Sequence, residues 1–130
     1  MSKITEFETQ RAFCLWAAGY PDKHGKPTRT PAIYPGIVWW HTPNGGSRRD
    51  CFEGKRLKDI GVKAGIPDMF FLNQGALFGL EFKALGEMQS ASQREMEPRL
   101  LAAGLCRYAV VDSLMVAKAQ VIAWNLALNC

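Results

Sequence analysis

At 130 residues, 48% hydrophobic composition and a formal charge of +4, the chain suits one globular domain, 1–130, large enough to bury a core without metal or disulfide staples. Cys14, Cys51, Cys106 and Cys130 never form a CxxC pair, which excludes a zinc ribbon and a secreted disulfide framework and predicts free, buried thiols in a reducing compartment. The mild positive charge is compatible with a polyanionic partner without demonstrating one.

The amino-terminal MSKITEFETQ lacks the apolar stretch of a signal peptide, so export is not expected. Thr5 followed by Glu8 fits a capping box, and Phe7, Cys14, Leu15 and Ala18 recur at helical spacing, predicting a helix over 6–18 that Gly19 ends. Residues 20–36 hold Pro21, Pro27, Pro31 and Pro35 and form a loop. GIVWWH gives a short strand ending near His41, in which alternation turns one of Trp39 and Trp40 to the core and the other outward. Neither tryptophan is read as a base-stacking platform, and Trp16 and Trp124 are read as helical core residues.

From Thr42 to Gly65 the composition shifts to glycine and basic residues: Arg48, Arg49, Lys55, Arg56, Lys58 and Lys63 against Asp50, Glu53 and Asp59. A connection this long carries function or is disordered. It reads either as a track for a phosphate backbone or as a solvated surface, with RLKDIG as one helical turn closed by Gly61. Strands DMFFL and LFGLEFKA follow, separated by the hairpin turn NQGA. Ser90 with Gln93, or Ser92 with Glu95, caps a helix to about Ala103; RYAVV is the next strand, and Asp112 or Ser113 opens a last helix to about Leu128. That last segment is apolar but is interrupted by Lys118 and Gln120 and is short for a bilayer, so the protein is expected to be soluble and intracellular. The spacing from Leu77 to Val111 favours a parallel crossover, and the class is α/β with a mixed sheet.

LFGLEFKA raises a chemical question, because it sets Glu81 and Lys83 inside an apolar strand, where charge is costly unless compensated. A turn centred between Gln74 and Gly75 places Asp68 directly opposite Glu81, with Lys83 on the face of Glu81 and Phe82 turned away. Opposed like charges destabilise a strand pair. Either a hard divalent cation, magnesium or manganese, resolves the repulsion, or the pair is solvated at a sheet end with Lys83 as its counter-ion.

GVKAGIPDMFF, GLEFKA and SASQ together resemble the PD-(D/E)xK nuclease motif, with Pro67-Asp68 as its first half and Glu81-Phe82-Lys83 as its second. The wider text is similar to the VRR-NUC (virus-type replication-repair nuclease) branch, with Glu6 and Gln10, IVWWHTPNGG, RLKDIGVKAGIPD, EFK and SASQ appearing in that order over about residues 6 to 112. The resemblance implies a restriction-endonuclease-like core and a standalone phage or bacterial enzyme of the cytoplasm. It implies a catalytic set of Asp68, Glu81, Lys83, Glu6 and Gln93. It also implies a Mg2+ or Mn2+ site formed by Asp68, Glu81, the Phe82 backbone carbonyl and, through water, Glu6. The implied partner is DNA, branched and cut as a four-way junction by a symmetric homodimer, leaving 5′-phosphate and 3′-hydroxyl ends. A flap or single-strand nuclease, and a non-catalytic nucleic-acid-binding subunit, are the alternatives. An HNH-type nuclease fits poorly, since His24 is the one histidine besides His41.

Several residues have a second reading. Glu6 is also an acid favoured by the dipole of a helix start, and Glu8 is explained by the cap. Gln93 also completes a capping box. Asn44 and His41 either touch DNA together with Arg48, Arg49, Lys55, Arg56, Lys58 and Lys63, or close a turn.

Overall fold

Thr5 opens α1 (Glu6–Ala17) by accepting the Glu8 backbone N–H at 3.0 Å, and Phe13, Trp16 and Ala17 turn one face of the helix into the core. The structure, a computed structural model, describes residues 4–43 and 51–129, the side chains of 51–54 excepted. The expectations for Asn44, Arg48 and Arg49 fall outside the described residues. The loop after α1 carries a short bridge, Pro21 to Pro27, and then sends Ala32 and Ile33 into the core.

Four strands form one sheet in the order β1-β2-β3-β4: β1 (Val38–His41), β2 (Met69–Asn73), β3 (Ala76–Phe82) and β4 (Arg107–Val111). The first two pairings are antiparallel and β3 with β4 is parallel, so the sheet is mixed as expected. Gln74 (φ 50°) and Gly75 (φ 84°) make the β2–β3 turn. Two positive φ values are what a two-residue type I′ hairpin requires, and this turn sets the register Met69↔Leu80. The next rung outward brings Asp68 against Glu81.

One face of the sheet packs on α1 and on α4 (Leu114–Ala123). Phe13 is the hub, with ring centroids 5.6 Å from Phe82, 6.1 Å from Phe71 and 5.6 Å from Trp16. Leu80, Val121 and Ala117, all fully buried, complete that layer. The other face meets α3 (Ala91–Ala103), which crosses between β3 and β4; Gln89, just before it, reaches Tyr108, and Gln93 reaches Glu81. α2 (Cys51–Asp59) lies in the basic connection.

Four expectations are corrected. α4 stops at Ala123, short of Leu128, because Asn125 takes a left-handed φ of 62° and the chain then pairs with the proline-rich loop through Ala127↔Ile33 and a Leu128 N–H to Ala32 carbonyl bond of 2.8 Å. The RLKDIG turn is the end of a nine-residue helix, closed by Gly61. Cys14 and Cys106 are half-buried and not fully buried; burial still pushes the Cys14 thiol up to about 11. Trp16 is buried in the core, whereas Trp124 is half-buried at the end of α4 against Phe78, 5.2 Å away. The two neighbouring tryptophans split, with Trp39 stacked on Phe71 and Trp40 40% exposed.

Candidate active site

The hairpin fastens each carboxylate to the backbone of the facing strand segment. The Asp68 N–H donates to Glu81 Oε1 at 3.2 Å, and the Phe82 N–H donates to Asp68 Oδ2 at 2.8 Å. Glu81 is 3% exposed. Desolvation, and then the charge of Asp68, push its carboxyl up to about 8, with Lys83 pulling the other way. Asp68 is also raised, chiefly by desolvation, against the pull of the Phe82 N–H, His41 and Lys83. Two carboxylates this close, one buried and one half-buried, hold one shared proton more readily than two negative charges.

Lys83 follows Glu81 on the same face, its Nζ 3.8 Å from Glu81 Oε2 and its side chain 11% exposed. That separation is long for a hydrogen bond, so the ammonium acts on Glu81 mainly as a nearby charge. Phe82 points away into the core, as alternation requires, while its backbone stays beside Asp68.

Gln93 serves both of its readings through one amide. Its Oε1 accepts the Ser90 N–H at 2.8 Å, completing the capping box of α3, and its Nε2 donates to Glu81 Oε2 at 2.7 Å. The helix cap thus aims the donor at the carboxylate. Glu6, half-buried in the first turn of α1, has its carboxyl raised, chiefly by burial, with Lys83 and the Ala84 N–H lowering it and the charges of Glu87 and Asp68 adding to the rise. It therefore shares the field of the pair. Among the described residues no three His, Cys, Asp or Glu side chains converge tightly enough to form a metal cluster by themselves, which leaves Glu6 outside the Asp68–Glu81 pair.

His41 braces the same corner. Its Nδ1 lies 2.8 Å from the Asp68 carbonyl and 2.9 Å from Gln10 Nε2. One ring nitrogen cannot donate to the first and accept from the second. An Nδ1–H shared as a three-centre bond between the Asp68 carbonyl and a Gln10 amide turned to present its oxygen accommodates both contacts. The Asp68 carbonyl also accepts the Thr42 N–H at 2.7 Å.

The basic connection is thereby pinned at its start beside Asp68, and it is pinned again at Gly65. There φ is +85°, and an added Cβ would lie 2.3 Å from the Ser92 carbonyl oxygen. The chain passes against the first turn of α3 before Pro67 is buried and Asp68 is delivered. Lys55, Arg56, Lys58 and Lys63 are exposed on this connection, Lys55 in a 3.1 Å ion pair with Asp59.

Gly65 and Tyr108 carry positional work that sequence reasoning did not assign. The GIPD text contained the glycine but not its contact. Tyr108 faces the site from β4 opposite Gly79, its hydroxyl accepting from Gln89 Nε2 at 3.2 Å and pushed up to about 12 by burial, with the carboxylates Glu81, Glu97 and Asp68 contributing. Nothing in RYAVV marks it beyond alternation.

No family model matches the sequence, and no curated protein matches it. Among solved structures, one described as a VRR_NUC domain protein is similar over 93% of this chain and 88% of that one, with 23% identity and a TM-score of 0.64. The mixed four-stranded sheet flanked by helices, together with that near-complete superposition, gives this chain the fold of a VRR_NUC domain protein.

Proposed function

We propose that the chain is a metal-dependent endonuclease that hydrolyses phosphodiester bonds in DNA. The observation that carries this reading is the facing pair of half-buried Asp68 and buried Glu81, clamped backbone to carboxylate with Lys83 3.8 Å from Glu81. Desolvation raises both carboxyls, and the charge of Asp68 raises Glu81 further, which is the state of a donor set that a hard divalent cation relieves. Two carboxylates with the rest of the coordination left to water, backbone and phosphate oxygens suit magnesium or manganese. Asp68 and Glu81 would hold the ion, with the Phe82 carbonyl and, through water, Glu6 as further contacts. When bound, such an ion would supply an acidified water and charge neutralisation at the phosphoryl group.

The chain's own residues do the rest. Lys83 places a fixed positive charge beside Glu81, where it stabilises negative charge developing on the phosphate oxygens. Gln93 and the Asp68 N–H hold the two Glu81 oxygens, and His41 with Thr42 holds the Asp68 backbone, so neither carboxylate needs to reorganise as charge develops. The exposed lysines and Arg56 of the basic connection contact the phosphate backbone on either side. Cleavage of the P–O3′ bond by water leaves a 5′-phosphate and a 3′-hydroxyl.

The sequence resemblance supports branched DNA, a four-way junction cut by a symmetric homodimer, as the substrate. The test offers labelled linear duplex, flap and four-way-junction DNA to the protein with Mg2+ or Mn2+ and with chelator. Metal-dependent cutting with junctions preferred is expected. Equal rates on linear duplex remove the junction preference, preference for flaps or single strands selects the alternative enzyme, and DNA binding without cutting leaves a docking subunit. Light scattering tests the dimer.

A further inference from the structure

The sheet face that carries Glu81 continues, strand by strand, to an exposed aromatic ring. Glu81 and Gly79 share one face of β3; Gly79 pairs with Phe70 on β2, and Phe70 pairs with Trp40 on β1. Trp40 is 40% exposed and rests on Phe70, itself 8% exposed, with ring centroids 5.7 Å apart and planes 32° from parallel. Its neighbour Trp39 is committed to the core side. An indole backed by a buried ring loses little freedom on meeting a ligand, and it offers a π-face to any base. Strand spacing puts Trp40 about 12 Å from Glu81 across two strands and two residues, the reach of a nucleotide or two along a strand whose phosphate lies at the carboxylates.

We propose that Trp40, braced by Phe70, is a stacking platform for an unpaired DNA base next to the bond that is cut, and so a positioning residue that favours substrates with single-stranded character near the cleavage point. This rests on the nuclease reading of the Asp68–Glu81 face. Stacking on a ring reads no base identity, so the platform selects for an accessible base and not for sequence.

The test uses the full chain with Lys83→Ala, to prevent cutting, and measures binding by fluorescence anisotropy to a labelled single-stranded oligodeoxynucleotide and to the same backbone carrying abasic positions. Adding Trp40→Ala weakens binding to the base-bearing strand about 10-fold, leaves the abasic strand's affinity unchanged, and is largely rescued by Trp40→Phe. Equal affinity of the Trp40→Ala protein and its Lys83→Ala parent, or equal loss on both strands, overturns the platform. Cleavage by the wild type is scored separately. Cutting without a Trp40 effect on binding removes only the platform, whereas base-dependent binding through Trp40 without cutting removes the nuclease reading and leaves the platform standing.

Discussion

Replacing Glu81 by glutamine tests the electrostatics of the site without needing a substrate. The folded protein holds the Glu81 carboxyl at about 8 against an ordinary value of 4.5, so folding must work against its ionisation wherever the unfolded chain would ionise it. Each unit is worth about 1.4 kcal/mol, which puts the ceiling at pH 8 on the order of 4 kcal/mol for this 3% exposed group. Relaxation of the site and one lost hydrogen bond, the amide having a single oxygen where Asp68 N–H and Gln93 Nε2 now find two, reduce the net gain to about 1–3 kcal/mol. Because the folded value lies above the unfolded one, wild-type stability in chelator is greatest below pH 4.5 as far as this group is concerned, and it falls as pH rises toward about 8. Glu81→Gln removes that decline. Thermal unfolding in chelator should show the variant unfolding roughly 5–10 °C above wild type at pH 8, with the gap closing toward pH 5. A variant no more stable than wild type at pH 8, or a gap that does not change with pH, would mean that burial does not hold Glu81 protonated.

Manganese reverses the order, since binding to the folded wild type stabilises it by about 2.7 kcal/mol at a hundred times the dissociation constant, and Glu81→Gln has lost a ligand. Calorimetry should show Mn2+ affinity rising with pH up to about 8, with proton release on binding, because the cation displaces the proton that Glu81 retains; pH-independent affinity would contradict this. Gln93→Glu keeps an acceptor for the Ser90 N–H but replaces the donor to Glu81 with a third carboxylate, so cleavage should fall about 10-fold or more, with α3 intact by circular dichroism. Unchanged cleavage would reduce Gln93 to a cap. Gly65→Ala forces a Cβ to within 2.3 Å of the Ser92 carbonyl at a left-handed φ, and a loss of roughly 2–4 kcal/mol in denaturant unfolding is expected; a neutral result would mean that the 62–67 segment does not press on α3.

The hairpin was legible because its physics is local. Two glycine-compatible turn positions set the register, and the register dictates that Asp68 opposes Glu81 and that Lys83, not Phe82, shares the face. The caps of α1 and α3 were legible for the same reason, as short-range side-chain to backbone bonds. Contacts between distant segments were not legible. That Gln93 serves cap and carboxylate with one amide depends on how α3 docks, and that His41 and Thr42 grip the Asp68 carbonyl depends on the β1–β2 register. The end of α4 was overrun because alanine and leucine favour helix, while the tertiary pairing of Ala127 with Ile33 favours an extended end. The Trp40 platform is not legible in sequence, because alternation says that one tryptophan is exposed but not which one, nor that it shares a face with Glu81.

If Asp68, Glu81 and Lys83 form one metal-dependent hydrolytic site, strand cleavage with Mg2+ by wild type, Asp68→Asn and Lys83→Ala will show it. Wild-type cutting that chelator abolishes is expected, with loss of both metal binding and cutting in Asp68→Asn and a fall of about 10²–10³ in cutting by Lys83→Ala with Mn2+ binding retained. Cleavage that persists in chelator, or that proceeds at the wild-type rate in either variant, would contradict it.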